Sequence, residues 1–150
     1  MKVLCTWTEK VAFLAQANSH QIKMDTTGPI GSDSAPTPKQ LVLSAVCGCT
    51  GMDVVSLLKK FKQPMETFQI EAEASVTEGG HPVVFKEVNL VFKFTGAMES
   101  SKVMEAVTLS QTKYCSISAM LSKAVPILYK VELNNENIGA GQALFNKQGE

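Results

Sequence analysis

The chain has 150 residues, 45% of them hydrophobic, and a formal net charge of zero at pH 7. That length suits one domain with an ordinary core, and balanced charge leaves no electrostatic footprint for nucleic acid or an acidic membrane surface. All fourteen basic residues are lysines, so no guanidinium fork is available anywhere in the chain.

Residues 1–16 carry Lys2, Glu9 and Lys10 and lack the long apolar core of a secretory signal. The cytoplasm is therefore the expected compartment, where four cysteines are more readily free, catalytic or metal-binding than structurally paired. Residues 3–7 and 10–15 read as two short strands around Thr8 and Glu9. Residues 20–25 give a third, alternating Ile22 and Met24 with polar neighbours. The stretch 26–39 (TTGPIGSDSAPTPK) is rich in Gly, Pro and Ser, a loop long enough to be functional or mobile.

Residues 38–62 read as a helix, capped by Thr37 and with Pro38 in its first turn. Its apolar residues run nearly all round, which implies burial in the middle of something. Gly48, Gly51 and Asp53 argue for a buried helix rather than a membrane span, and Ser44, Gly48 and Gly51 make a ridge that another backbone can approach. In a domain this small such burial calls for a second subunit, so a dimer is expected.

Residues 67–77 alternate cleanly, with Phe68, Ile70, Ala72, Ala74 and Val76 inward, and pair as a hairpin with 83–95, where Val88, Leu90, Phe92 and Phe94 alternate. Ser100 or Ser101 is expected to cap a helix reaching about Thr112, with Val103, Ala106 and Val107 inward. A short helix over 116–125 stops at Pro126, and 127–133 is a last strand alternating Ile127, Tyr129, Val131 and Leu133. One domain then covers 1–134, and the polar, Gly-containing residues 135–150 are expected to be disordered or loosely docked. The class is α+β with mostly antiparallel strands.

No Walker loop, dinucleotide fingerprint or His-x-x-x-His zinc pattern is present. Four cysteines carry what chemistry remains. Cys49 sits mid-helix between Gly48 and Gly51, with Asp53 one turn on. Cys115 precedes Ser116 at a predicted helix N-terminus, where the dipole and free amides favour a thiolate, so local physics makes Cys115 the more activated sulfur. Cys47 is roughly 200° round the helix from Cys49. A Cys47-x-Cys49 metal site completed by His20 or His81 therefore needs a broken helix, and no metal ligand set is expected. Cys5 is expected in the core, the two histidines at the surface, and Asp25 and Asp33 in turns.

The runs Thr37-Pro38-Lys39-Gln40-Leu41-Val42-Leu43, Gly48-Cys49-Thr50-Gly51-Met52-Asp53-Val54-Val55, Leu109-Ser110 and Lys113-Tyr114-Cys115-Ser116 resemble the OsmC/Ohr peroxide-resistance family, and within it the OsmC-like branch typified by YhfA-like proteins. The resemblance covers about residues 20–133. It implies an OsmC-like fold: an intertwined homodimer of α+β subunits, with sheets wrapped around long buried central helices and active sites at the subunit interface. It also implies a hydroperoxide reductase, with organic peroxides preferred. Cys49 matches the peroxidatic cysteine and Cys115 the resolving one, with no cofactor beyond an external dithiol or lipoyl-type reductant. The characterised peroxidases use an Arg to activate the thiolate and a Glu in the first turn of the buried helix. This chain has no Arg, and Gln40 stands at the Glu position as a substrate-binding candidate. Two readings are open: a thiol-dependent hydroperoxide reductase, or a non-peroxidatic OsmC-like dimer that binds a small apolar or thiol ligand at its interface.

Overall fold

The computed structural model describes residues 1–145, which fall into two compact units, one ending at Val42 and the other beginning at Leu43. In the first, β1 (Leu4–Glu9), β2 (Ala12–Ala17) and β3 (His20–Met24) form an antiparallel meander in that order. Trp7 pairs with Phe13 and Ala15 with Ile22, which sets Trp7, Phe13 and Ile22 on one face, all three exposed. Cys5, expected in the core, is exposed instead, because β1 is an edge strand with every residue exposed.

The connection after β3 is long but organised. Asp25 is buried, and its carboxylate accepts the N–H groups of Thr26 (2.8 Å), Ser32 (3.1 Å) and Ser34 (3.1 Å) and the Ser34 hydroxyl (2.7 Å). The Ser34 hydroxyl foremost, then the amides, hold the Asp25 carboxyl well below the usual carboxylate range. The order it lends the loop is therefore present above the ordinary Asp pKa of 3.8 and is lost as pH falls through the folded value. Asp25→Ala is expected to speed amide hydrogen exchange at Ser32 and Ser34 without changing β2 and β3. Unaltered protection would mean that other contacts hold the loop.

Helix α1 (Pro38–Lys60) opens with a capping box: the Gln40 amide donates to Thr37 Oγ1 (3.3 Å) while Thr37 N–H donates to Gln40 Oε1 (2.8 Å). Thr37 and Pro38 thus do what their positions predict, and the side chain of Gln40 is engaged in helix initiation. At 23 residues and mean hydropathy 1.9, α1 has the length and composition of a membrane span. Its packing is that of a core helix on one side only. Val46, Thr50, Val54 and Leu58, four apart, are its buried residues, whereas Met52 stays 74% exposed. Burial all round, as the composition implies, is not reached within one chain.

The second unit holds a sheet in the order β4 (Met65–Val76), β5 (Phe85–Gly96), β6 (Ile127–Leu133), β7 (Glu136–Gln142). The β4–β5 hairpin pairs as expected, and Val88, Leu90, Phe92 and Phe94 are buried against α1 residues in one core. Val76, expected inward, is exposed at the strand end. Gly51 lets β4 approach α1 closely: a Cβ there would lie 3.3 Å from Ile70 Cδ1. Phe68 stacks on Phe94 at 4.3 Å between centroids, and Phe92 meets Tyr129 edge-on at 6.2 Å.

The strands are mostly antiparallel, as expected; the exception is β5 with β6, which run parallel from Val88 opposite Ile127 to Phe94 opposite Leu133. A parallel pair needs a crossover, and the helices after β5 supply it. Helix α2 (Ser100–Leu109) buries Val103, Ala106 and Val107 as predicted, but its N-cap is Glu99, without a side-chain cap bond, rather than a serine. A π-helical turn (Ser110–Tyr114) comes next and then α3 (Ser116–Leu121), shorter than its pattern, with Met120 exposed. The expected loose tail is a strand over Glu136–Gln142, antiparallel to β6. Its glycines, which weaken a strand signal, are needed for packing: a Cβ on Gly139 would meet Met104 and one on Gly141 would meet Tyr129. The remainder of the expected tail, 146–150, lies outside the described residues.

Candidate active site

Three elements of the second unit converge on one point. Cys49 and Asp53, four apart on α1, project from the same side of the helix. Cys115 comes from the junction between the π-helical turn and α3. Its sulfur, the Cys49 sulfur and a carboxylate oxygen of Asp53 all lie within 4.8 Å of one another. The two cysteines singled out from sequence are thus brought together, both as free thiols. They differ in access: Cys49 is half-buried and Cys115 fully buried. Ser116 Oγ is 3.9 Å from Cys49 Sγ.

Cys47 points elsewhere, as the helical geometry requires. It lines an open, largely apolar groove of about 620 Å³ with Gly48, Gly51, Met52, Val55, Phe68 and Ile70, and its sulfur lies 4.0 Å from the Ile70 carbonyl. Burial pushes its thiol up. His20 and His81 are exposed, as expected.

Cys115 is the N-cap of α3 and accepts the Ser118 N–H at 3.3 Å, so the predicted helix-end contact exists. It does not activate the thiol. Burial dominates, the neighbouring Cys49 adds to it, and the Cys115 thiol is pushed up to about 11 from an ordinary 9.0. A helix of six residues has too little dipole to offset full burial. The activation expected of Cys115 from its helix-end position is therefore not found. At neutral pH Cys115 is protonated, with roughly a hundredfold less thiolate than an ordinary cysteine. Iodoacetamide at neutral pH is therefore expected to label Cys49 well before Cys115, with Cys115 labelling rising as pH approaches its pKa. Equal rates in peptide mapping would contradict this order.

Behind the cluster lies a polar network that the sequence did not announce. Ser110 Oγ donates to Asp53 (3.0 Å) and shares a hydrogen bond with Thr50 Oγ1 (2.7 Å), which also accepts from Gln111 Nε2 (2.8 Å). Thr50, Ser110 and Gln111 are fully buried. The π turn makes this possible. Its widened ring, closed by the Cys115 N–H on the Ser110 carbonyl at 2.9 Å, carries Ser110, Gln111 and Cys115 toward α1. Burial pushes the Asp53 carboxyl up, opposed by the Ser110 hydroxyl. The available signal was Thr50 itself, a hydroxyl inside the stripe Val46, Thr50, Val54, Leu58.

The chain is thus an α+β protein whose core helix holds one thiol within reach of a second on a buried helix end. It belongs to the family described as OsmC-like protein, which matches residues 31–130. Protein YhfA of Escherichia coli strain K12 is 38% identical over 135 residues, covering 89% of this chain and 98% of that protein. The crystal structure of an OsmC-like protein from Mycoplasma pneumoniae is similar with TM-score 0.78 at 14% identity, covering 88% of this chain and 95% of that one. An organic hydroperoxide resistance protein of Vibrio cholerae, crystallised with captopril in one active site, is similar with TM-score 0.65 at 16% identity, covering 91% and 94%. At those identities the two structures speak for the fold alone.

Proposed function

We propose that this chain is a cytoplasmic, thiol-dependent hydroperoxide reductase, acting on organic hydroperoxides as a homodimer. The observation that carries the reading is the approach of a reachable thiol, Cys49, to a buried protonated one, Cys115, with their sulfurs within 4.8 Å. The Cys49 thiolate attacks the terminal peroxide oxygen, the O–O bond breaks, and the alcohol leaves with a proton. Cys49 sulfenic acid then condenses with the Cys115 thiol, forming the disulfide and releasing water. A dithiol or lipoyl-type reductant restores both thiols by exchange. No arginine is available to stabilise the thiolate, and the near carboxylate, Asp53, is no substitute cation, so turnover is expected to be slower than in relatives that have one.

The experiment is titration of the reduced protein with cumene hydroperoxide, followed by non-reducing peptide mass mapping. A Cys49–Cys115 disulfide at near-stoichiometric peroxide supports the reading. Oxidation no faster than that of a free thiol sinks it and leaves the non-peroxidatic ligand-binding dimer. Dimerisation is supported by two separate exposed apolar surfaces, the Trp7, Phe13 and Ile22 sheet face and the α1 groove around Met52. Met52→Lys, which places a charge at a position 74% exposed among the described residues, is expected to shift the light-scattering mass from dimer to monomer. An unchanged mass would remove the groove from the interface.

A further inference from the structure

We infer that Cys49, Asp53 and Cys115 form a binding site for a thiophilic divalent cation of the zinc class. The donors are of the right kind, two thiolates and a carboxylate, a combination that favours zinc over the hard cations magnesium and calcium. They are also close to the right spacing. With metal–sulfur bonds of about 2.3 Å and tetrahedral angles, donor atoms lie roughly 3.5–3.8 Å apart. All three here lie within 4.8 Å of one another, so closing onto a cation takes side-chain rotations of about an ångström. The site is supported from outside: Ser110 Oγ holds a carboxylate oxygen of Asp53 at 3.0 Å and is itself fixed by Thr50 at 2.7 Å. Among the described residues the ion pairs join Lys93 to Glu71 and Lys102 to Glu105, so Asp53 is not taken up in a salt bridge. Cys49 is half-buried, which leaves a fourth position open to water or a small ligand.

Binding exchanges two thiol protons for the cation: Cys49 and Cys115 each lose a proton to solvent, Asp53 binds as the carboxylate, and nothing is oxidised or reduced. This site is distinct from the Cys47-x-Cys49 pattern, since Cys47 faces the groove on another side of α1. If the hydroperoxide reading holds, cation and peroxide compete for the same two sulfurs, but the binding does not depend on that reading.

Cobalt(II) alone, titrated anaerobically into the reduced full-length protein, is the test. We expect one cobalt per chain, a thiolate-to-cobalt charge-transfer band, tetrahedral visible bands, and displacement by zinc. Asp53→Asn should weaken binding about tenfold or more, and Cys49→Ser should remove about half of the charge-transfer intensity; Cys47→Ser should change neither. No charge-transfer band, or a band that survives Cys49→Ser and Asp53→Asn but is lost in Cys47→Ser, overturns the site. Disulfide formation needs no cation, so cumene hydroperoxide titration of the metal-free, unsubstituted protein separates failure of the cation site from failure of the peroxide chemistry.

Discussion

Cys49→Ser is expected to abolish hydroperoxide-driven disulfide formation and to slow peroxide consumption by roughly three orders of magnitude or more, the scale of losing a nucleophile. Serine keeps the size and position of the side chain but lacks the thiolate, so the comparison isolates chemistry from packing. Cys115→Ser should behave differently. Its first turnover should proceed, one alcohol per Cys49, and then stall as a sulfenic acid open to over-oxidation. The asymmetry stems from burial: Cys115 is sealed in and protonated, Cys49 is reachable. Stopped-flow peroxide consumption with intact-mass analysis distinguishes the two. If Cys115→Ser loses the first oxidation and Cys49→Ser retains it, the assigned roles are reversed.

Thr50→Val should give the largest loss of stability from a single hydroxyl. Valine matches threonine in shape, so no cavity forms, yet Gln111 Nε2 loses its acceptor at 2.8 Å and Ser110 its partner at 2.7 Å. Gln111 Nε2 is then a fully buried donor without an acceptor, and Gln111 Oε1 already has no partner among the described residues, whereas Ser110 Oγ keeps its donation to Asp53. Stranding that buried donor costs about 1–3 kcal/mol, a fall in melting temperature of roughly 5 °C at this chain length. Thr50→Ser keeps the hydroxyl and removes only a methyl group, so it should cost less. Thermal unfolding of the two variants decides; a Val variant as stable as the parent would show that the network contributes little.

Much of the fold was legible because its strands obey a period of two with clean turns. The run Ile127, Tyr129, Val131, Leu133 announces both the strand and its buried face. The β4–β5 hairpin is similarly plain, and Thr37 with Pro38 announces the start of α1. The features that escaped depend on partners distant in the chain. The direction of β6 beside β5 is set by the crossover, which periodicity does not encode. Strand β7 was hidden by Gly139 and Gly141, whose missing side chains make room for Met104 and Tyr129. At the site, the motif residues Cys49 and Cys115 stood out, but their relative reactivity did not. It is decided by desolvation, a property of surroundings, whereas a helix end is read from neighbours in sequence only. Asp53, Ser110 and Gln111 look like ordinary polar residues until the π turn brings them against α1.

That turn also bears on how such a site is altered during evolution. A π turn carries one residue more than an α turn, so its geometry depends on residue count as well as on residue type. Removing one residue within Ser110–Tyr114 would restore α geometry and swing the downstream chain by about 100°, taking the Cys115 sulfur away from Cys49 with neither cysteine mutated. Proteins carrying both cysteines can thus differ in whether the pair meets, and the spacing between Ser110 and Cys115 is as much a hereditary marker of the thiol pair as the cysteines themselves.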